Sequence, residues 1–213
     1  TVEPPAEDEL AATFEHDPTN PVPTIGGRNL RMANGPKDQS FIEGREDVAV
    51  YTSGPIKNPV VMMGPIAADI WVLSPAEEMD VAVRLTDLYP DGRSMLIASG
   101  IHKARGTGKV QKVRVDLWST AIALDTNHRI RVSVSGSMSG AFAVSQEPYV
   151  AFIATTPEFP SHLRLSVTEG LVAVPGPGLL PDPVEGAEID EADAGEGDTT
   201  AGTDEDGAAI GPI

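Results

Sequence analysis

The chain has 213 residues, of which 40% are hydrophobic and 5% aromatic, with 21 Gly and 19 Pro; this is enough for one large domain and argues against a helical bundle. With no Cys there is no disulfide framework or thiolate metal site, and no apolar run is long enough to span a bilayer. The net charge of −17 sits at the ends: residues 165–213 carry 12 acids and no base, residues 1–8 carry three acids, and the stretch between sets 17 acids against all 15 Lys and Arg. That central stretch is nearly neutral and shows no basic patch, which disfavours nucleic-acid binding.

Residues 1–8, with Pro4, Pro5 and three acids, read as a linker. With no initiator Met and no signal-peptide pattern, the chain reads as processed or excised from something longer. Residues 9–173 form the expected domain. From His16 to Ile42 the chain is rich in Pro and Gly with few apolar anchors, and reads as a long ordered connection packed over the sandwich, not as strand. Period-two alternation follows. Val48 and Val50 oppose Ala49 and Tyr51; Val81, Val83 and Leu85 oppose Ala82, Arg84 and Thr86; Val113 and Val115 oppose Arg114 and Asp116; Ile130, Val132 and Val134 oppose Arg129, Arg131 and Ser133; Leu163 and Leu165 oppose His162, Arg164 and Ser166. Turn signals such as Ser53-Gly54-Pro55, Pro90-Asp91-Gly92 and Gly106-Thr107-Gly108 separate these runs. Short alternating strands between Gly/Pro turns predict an all-β sandwich of antiparallel strands. Residues 174–213 are low-complexity and acidic, and are expected to be a disordered tail.

The sequence carries little chemistry. The nearest approach to a nucleophile elbow is Gly136-Ser137-Met138-Ser139-Gly140, with Met where the serine belongs, and it reads as a flexible Ser/Gly loop. The four His are scattered and lack metal-ligand spacing, so no catalytic residue, metal or cofactor is assigned. Trp71 and Trp118 are expected in the interior, which lowers the prospect of a carbohydrate-stacking platform.

Several ordered runs carry a family resemblance. They are Asp17-Pro18-Thr19-Asn20-Pro21-Val22-Pro23-Thr24-Ile25-Gly26-Gly27, Gly35-Pro36-Lys37-Asp38-Gln39, Asp87-Leu88-Tyr89-Pro90-Asp91-Gly92-Arg93, Val115-Asp116-Leu117-Trp118-Ser119-Thr120 and His128-Arg129-Ile130-Arg131-Val132. The set resembles the C-terminal domain of the X-Pro dipeptidyl-peptidase and cocaine-esterase family of serine hydrolases, from about Phe14 to Leu165. The resemblance implies a jelly-roll sandwich of the galactose-binding-like type. It also implies a partner: an α/β-hydrolase catalytic domain, on the same chain or a separate subunit, through which a small ester, amide or peptide substrate is handled. By motif position, Leu30 and Arg31 match pocket-lining residues of esterase relatives, with Arg31 standing where an apolar residue is usual. Ile25 and Met32 join them as candidate pocket-wall or domain-interface residues. The competing reading is a stand-alone carbohydrate- or ligand-binding sandwich module.

Overall fold

Branched apolar residues at every second position make the strands, because one face of each must be buried against a second layer. A computed structural model describes residues 12–30 and 32–168. The linker expected at 1–8, Arg31 and the acidic tail expected at 174–213 lie outside the described residues. In chain order the elements are β1 (Ala12–His16), α1 (Ser40–Glu43), β2 (Ala49–Thr52), β3 (Val60–Leu73), β4 (Glu78–Leu88), β5 (Ser94–Arg105), β6 (Gln111–Leu124), β7 (Arg129–Ser135), β8 (Tyr149–Ala154), β9 (His162–Arg164) and β10 (Val167–Thr168). Among the described residues no helix is long and apolar enough to cross a membrane.

Two antiparallel sheets form a sandwich. The first runs β1-β8-β3-β6, with β9 and β10 paired along the same side of β3 as β8. The second runs β2-β7-β4-β5. β1 to β4 thus alternate between the sheets, as do β5 to β8, while β4 and β5 pair within the second sheet and β8, β9 and β10 all lie in the first, an order in keeping with a jelly roll. The core lies between the sheets and includes Phe14, Ile66, Ile70, Val72, Val81, Val83, Leu85, Val113, Val115 and Leu117.

The second sheet is also covered on its outer side. The face of β4 that bears Ala82, Arg84 and Thr86 alternates as a solvent face would, yet all three are buried. The connection that follows β1 covers it. Val22, Ile42 and Val48 form a second small core, with Ile25 and Val50 packed against it. Arg84 is its polar anchor: Nη1 donates to Ser135 Oγ (2.9 Å), and Nη2 donates to the carbonyls of Pro23 (3.2 Å) and Ser137 (3.2 Å). Burial pushes its guanidinium down to about 10, so it remains charged at neutral pH.

The Ser/Gly run after β7 is not the loose loop its composition predicts. Ser137 and Met138 are buried. Ser137 Oγ accepts the Val22 amide (2.8 Å), and the Ser139 amide donates to the Val22 carbonyl (2.9 Å). The run is a seam that stitches the Pro/Gly-rich connection to the sandwich.

Candidate functional site

The Pro/Gly-rich connection narrows to a closed loop. Gly26 and Gly27 have φ of +72° and +81°, a region that suits glycine. A Cβ on Gly26 would also lie 2.5 Å from the Gly35 carbonyl oxygen. Gly27 and Gly35 then exchange both backbone hydrogen bonds, 2.8 and 3.0 Å, and close the loop at its neck. Inside it, Asn29 Nδ2 donates to the Gly26 carbonyl (3.1 Å) and Asn29 Oδ1 accepts the Met32 amide (2.7 Å). Beneath the neck, the fully buried Gln39 donates to the carbonyls of Ile25 (2.8 Å) and Lys37 (3.0 Å). Gly27, Arg28, Asn29, Leu30, Asn34 and Gly35 line an open hollow of about 520 Å³.

This geometry sorts the four residues singled out in the sequence. Leu30 is fully exposed, at 101% of its reference area. Ile25 is half-buried against the second core and supports the loop from below. Met32 is half-buried, with its sulfur over the bare Cα of Gly140. Arg31 is outside the described residues.

The structure adds Trp118, which corrects the expectation of an interior side chain. Strand period decides its side, not its size. Val113, Val115 and Leu117 of β6 face the core, so Trp118 faces out and is 60% exposed. The pairing of β3 with β6 skips Leu117, with Ile66 opposite Trp118 and Ala67 opposite Asp116, so Leu117 is the extra residue of a β-bulge. Beside it, bare Gly100 of β5 allows close approach to the Asp116 carbonyl. Trp118 itself has φ of +70°, and its amide donates to Asp116 Oδ1 (2.7 Å). The guanidinium carbon of Arg28 lies 4.1 Å from the centre of the Trp118 ring, within cation–π range. Trp71, also expected inside, sits between inward-facing Ile70 and Val72, is half-buried, and packs on Phe159 at 5.3 Å between ring centres.

The exposed large apolar side chains fall on both sides of the domain. Leu30, Phe41 and Phe142 belong to the layer over the second sheet, and Trp118 stands on β6 where it meets Arg28 of that layer. Met63, Val150, Phe152 and Val167 are exposed on the first sheet.

The titratable groups are tied to local partners. On the outer face of the first sheet, the Asp69 carboxylate is buried under Arg114 (2.8 Å), Arg164 (2.7 Å), Lys112 (3.3 Å) and His162 (3.2 Å). The Arg114 hydrogen bond, with those of Arg164 and Lys112, holds Asp69 well below the usual carboxylate range against the opposing effect of burial. His162 Nδ1 also meets the Pro160 carbonyl at 2.9 Å. His16 Nε2 bonds the Ser145 carbonyl (3.0 Å). His128 Nδ1 meets both oxygens of the buried Asp87 carboxylate, at 2.9 and 3.0 Å. Among the described residues no serine hydroxyl is hydrogen-bonded to His128, so this histidine–carboxylate pair lacks the nucleophile of a hydrolytic triad.

Comparison with known proteins places this geometry. A family model described as the X-Pro dipeptidyl-peptidase C-terminal non-catalytic domain matches residues 1–164. Cocaine esterase from Rhodococcus sp. (strain MB1 Bresler) is 33% identical over 186 residues, covering 75% of this chain and 32% of that protein. The chain therefore spans about a third of the length of that relative. An aminopeptidase from the marine-sediment archaeon Thaumarchaeota archaeon shares the fold with a TM-score of 0.70 at 19% identity, over 78% of this chain and 34% of that one. An α-amino acid ester hydrolase does so with a TM-score of 0.70 at 18% identity and the same two coverages, 78% and 34%. The chain belongs to the non-catalytic C-terminal domain family of the X-Pro dipeptidyl-peptidase and cocaine-esterase hydrolases.

Proposed function

We propose that this domain packs against the catalytic domain of an α/β serine hydrolase, and that the loop closed by Gly27 and Gly35 forms part of the wall of its acyl pocket. The observation that carries this reading is Leu30: a wholly exposed leucine on a loop that is pinned at its neck by two backbone hydrogen bonds. A leucine presented on a loop with a closed neck suits burial in a partner surface at little ordering cost. Phe41 and Phe142, in the layer over the second sheet, and Trp118, which meets Arg28 of that layer, are exposed as well. In such a complex the domain excludes water and shapes the substrate site while the partner supplies the reacting groups. The substrate class is a small ester, amide or peptide. In this reading Leu30, Arg31 and Met32 contribute to the wall and Ile25 braces it.

Arg31 is the residue of this set whose chemistry selects among substrates, since a cation at the wall favours an acidic acyl group. Arg31→Leu in the full-length hydrolase that carries this domain tests it. The ratio of kcat/KM for acidic over neutral acyl substrates is expected to fall about tenfold, equal to about 1.4 kcal/mol. An unchanged ratio removes Arg31 from the pocket.

The exposure of Trp118 also fits a carbohydrate-stacking platform. Arg28 already lies on its ring, however, and leaves less of the indole for a sugar. The docking reading is therefore preferred, and a titration with mono- and oligosaccharides that leaves the Trp118 fluorescence unchanged agrees with it.

A further inference from the structure

Trp118 carries an unusual combination of features. An aromatic residue with positive φ is a genuine backbone outlier, and such outliers persist where the surroundings enforce them and concentrate at functional sites. Here the surroundings are visible: the Leu117 bulge turns the strand, and Asp116 Oδ1 holds the Trp118 amide at 2.7 Å. The indole gains little burial in return, since it stays 60% exposed. Over its ring lies the guanidinium of Arg28, the residue that follows the Gly27 neck, at 4.1 Å. Strain that is not repaid by burial points to a task for the side chain itself.

We infer that Trp118 is a positioning residue for the loop between Gly27 and Gly35. It catches Arg28 on its ring and so sets the direction in which Leu30 is presented. The bulge supplies the aim. The cation–π contact supplies a hold that is strong enough to bias the loop and weak enough to let it adjust to what it meets. The consequence for substrate selection rests on the docking reading above, but the hold itself does not and can be measured on this chain alone.

The experiment uses three variants of the isolated chain: Trp118→Gly, Trp118→Phe and Arg28→Ala. Glycine accepts the positive φ without strain, so Trp118→Gly separates the ring from the backbone it stands on. Amide hydrogen exchange at Arg28, Asn29, Leu30 and Met32 is expected to quicken about fivefold in Trp118→Gly and in Arg28→Ala. Over the same variants the melting temperature should hold or rise for Trp118→Gly and stay level for Arg28→Ala. Trp118→Phe keeps an aromatic face for the cation and should restore most of the protection. A purely structural tryptophan would lower the melting temperature and leave loop exchange alone, and that result overturns the proposal. So does loop exchange that is unchanged in all three variants. In the full-length hydrolase, a loosened loop with an unchanged acyl preference upholds the hold on Arg28 and counts against the pocket-wall reading, so the two claims fail separately.

Discussion

The Arg28 guanidinium lies 4.1 Å from the centre of the Trp118 indole, and joins the Pro/Gly-rich connection to the bulged strand of the other sheet. One partner stands on a loop with a two-hydrogen-bond neck, the other on a strand with its side fixed by core residues. The loop is therefore built from the domain outward, and the wholly exposed Leu30 side chain takes no part in holding it.

Leu30→Ser should accordingly leave the stability of the chain within about 0.5 kcal/mol of the parent in urea unfolding. A loss above about 1 kcal/mol would mean that Leu30 packs against its own domain, and would end its use as a docking residue.

Arg84→Ala should be costly. It strips a donor from buried Ser135 Oγ and from the half-buried Pro23 carbonyl, and leaves the Ser137 carbonyl with Ser135 Oγ alone. Leaving such acceptors unpaired is expected to cost about 3 kcal/mol and to release the connection around Val22, seen as faster amide exchange there. An effect below about 1 kcal/mol would show that the second core holds the connection without its polar anchor.

The strands were legible because their chemistry is local: Val113 and Val115 against Arg114 and Asp116 is a one-sided pattern that any sheet would read the same way. The ordered connection over the sheet was legible for a related reason, since Pro21, Pro23 and the Gly26-Gly27 pair restrict or free the backbone by themselves. The burial of Arg84 is not legible in the sequence, because burial of an outer sheet face depends on what crosses it and the covering segment lies far away in sequence. Trp71 and Trp118 lie outside the interior their bulk suggests because strand period, not size, sets the side. The alternation running through Leu117 already put Trp118 outside. Its meeting with Arg28 is tertiary and leaves no trace in either local sequence. The Ser/Gly run was read by composition, while its burial comes from Val22 bonding to it across the fold.

Asp69 sets an acid limit. Its carboxyl titrates well below the ordinary value because Arg114, Arg164 and Lys112 hydrogen-bond to the ionised form. The folded state thus binds the proton less readily than the unfolded one. The stabilisation is present above the unfolded value of about 4 and is lost progressively as the pH falls through the depressed folded value. Asp69→Asn should flatten the decline of stability on the acid side of about pH 4. At neutral pH it should cost about 1–2 kcal/mol, a modest figure because the three cations are partly exposed and rehydrate. An acid decline as steep as that of the parent would place the responsible carboxylate elsewhere.

The isolated chain should not turn over p-nitrophenyl esters or Xaa-Pro anilides, because the described His128–Asp87 pair has no serine in hydrogen-bond contact. Turnover abolished by a serine-directed fluorophosphonate, with the label on this chain, would contradict that.

The docking reading is tested most directly by amide hydrogen exchange compared between this chain alone and the chain joined to the α/β-hydrolase catalytic domain that the proposal assigns to it. Docking through the loop side predicts that Arg28, Leu30, Phe41, Phe142 and the Trp118 end of the β6 bulge gain protection in the longer protein, while Met63 of β3 and Phe152 of β8 keep the exchange they show in isolation. Equal exchange at the loop side in both proteins, or protection confined to the first sheet, would contradict it.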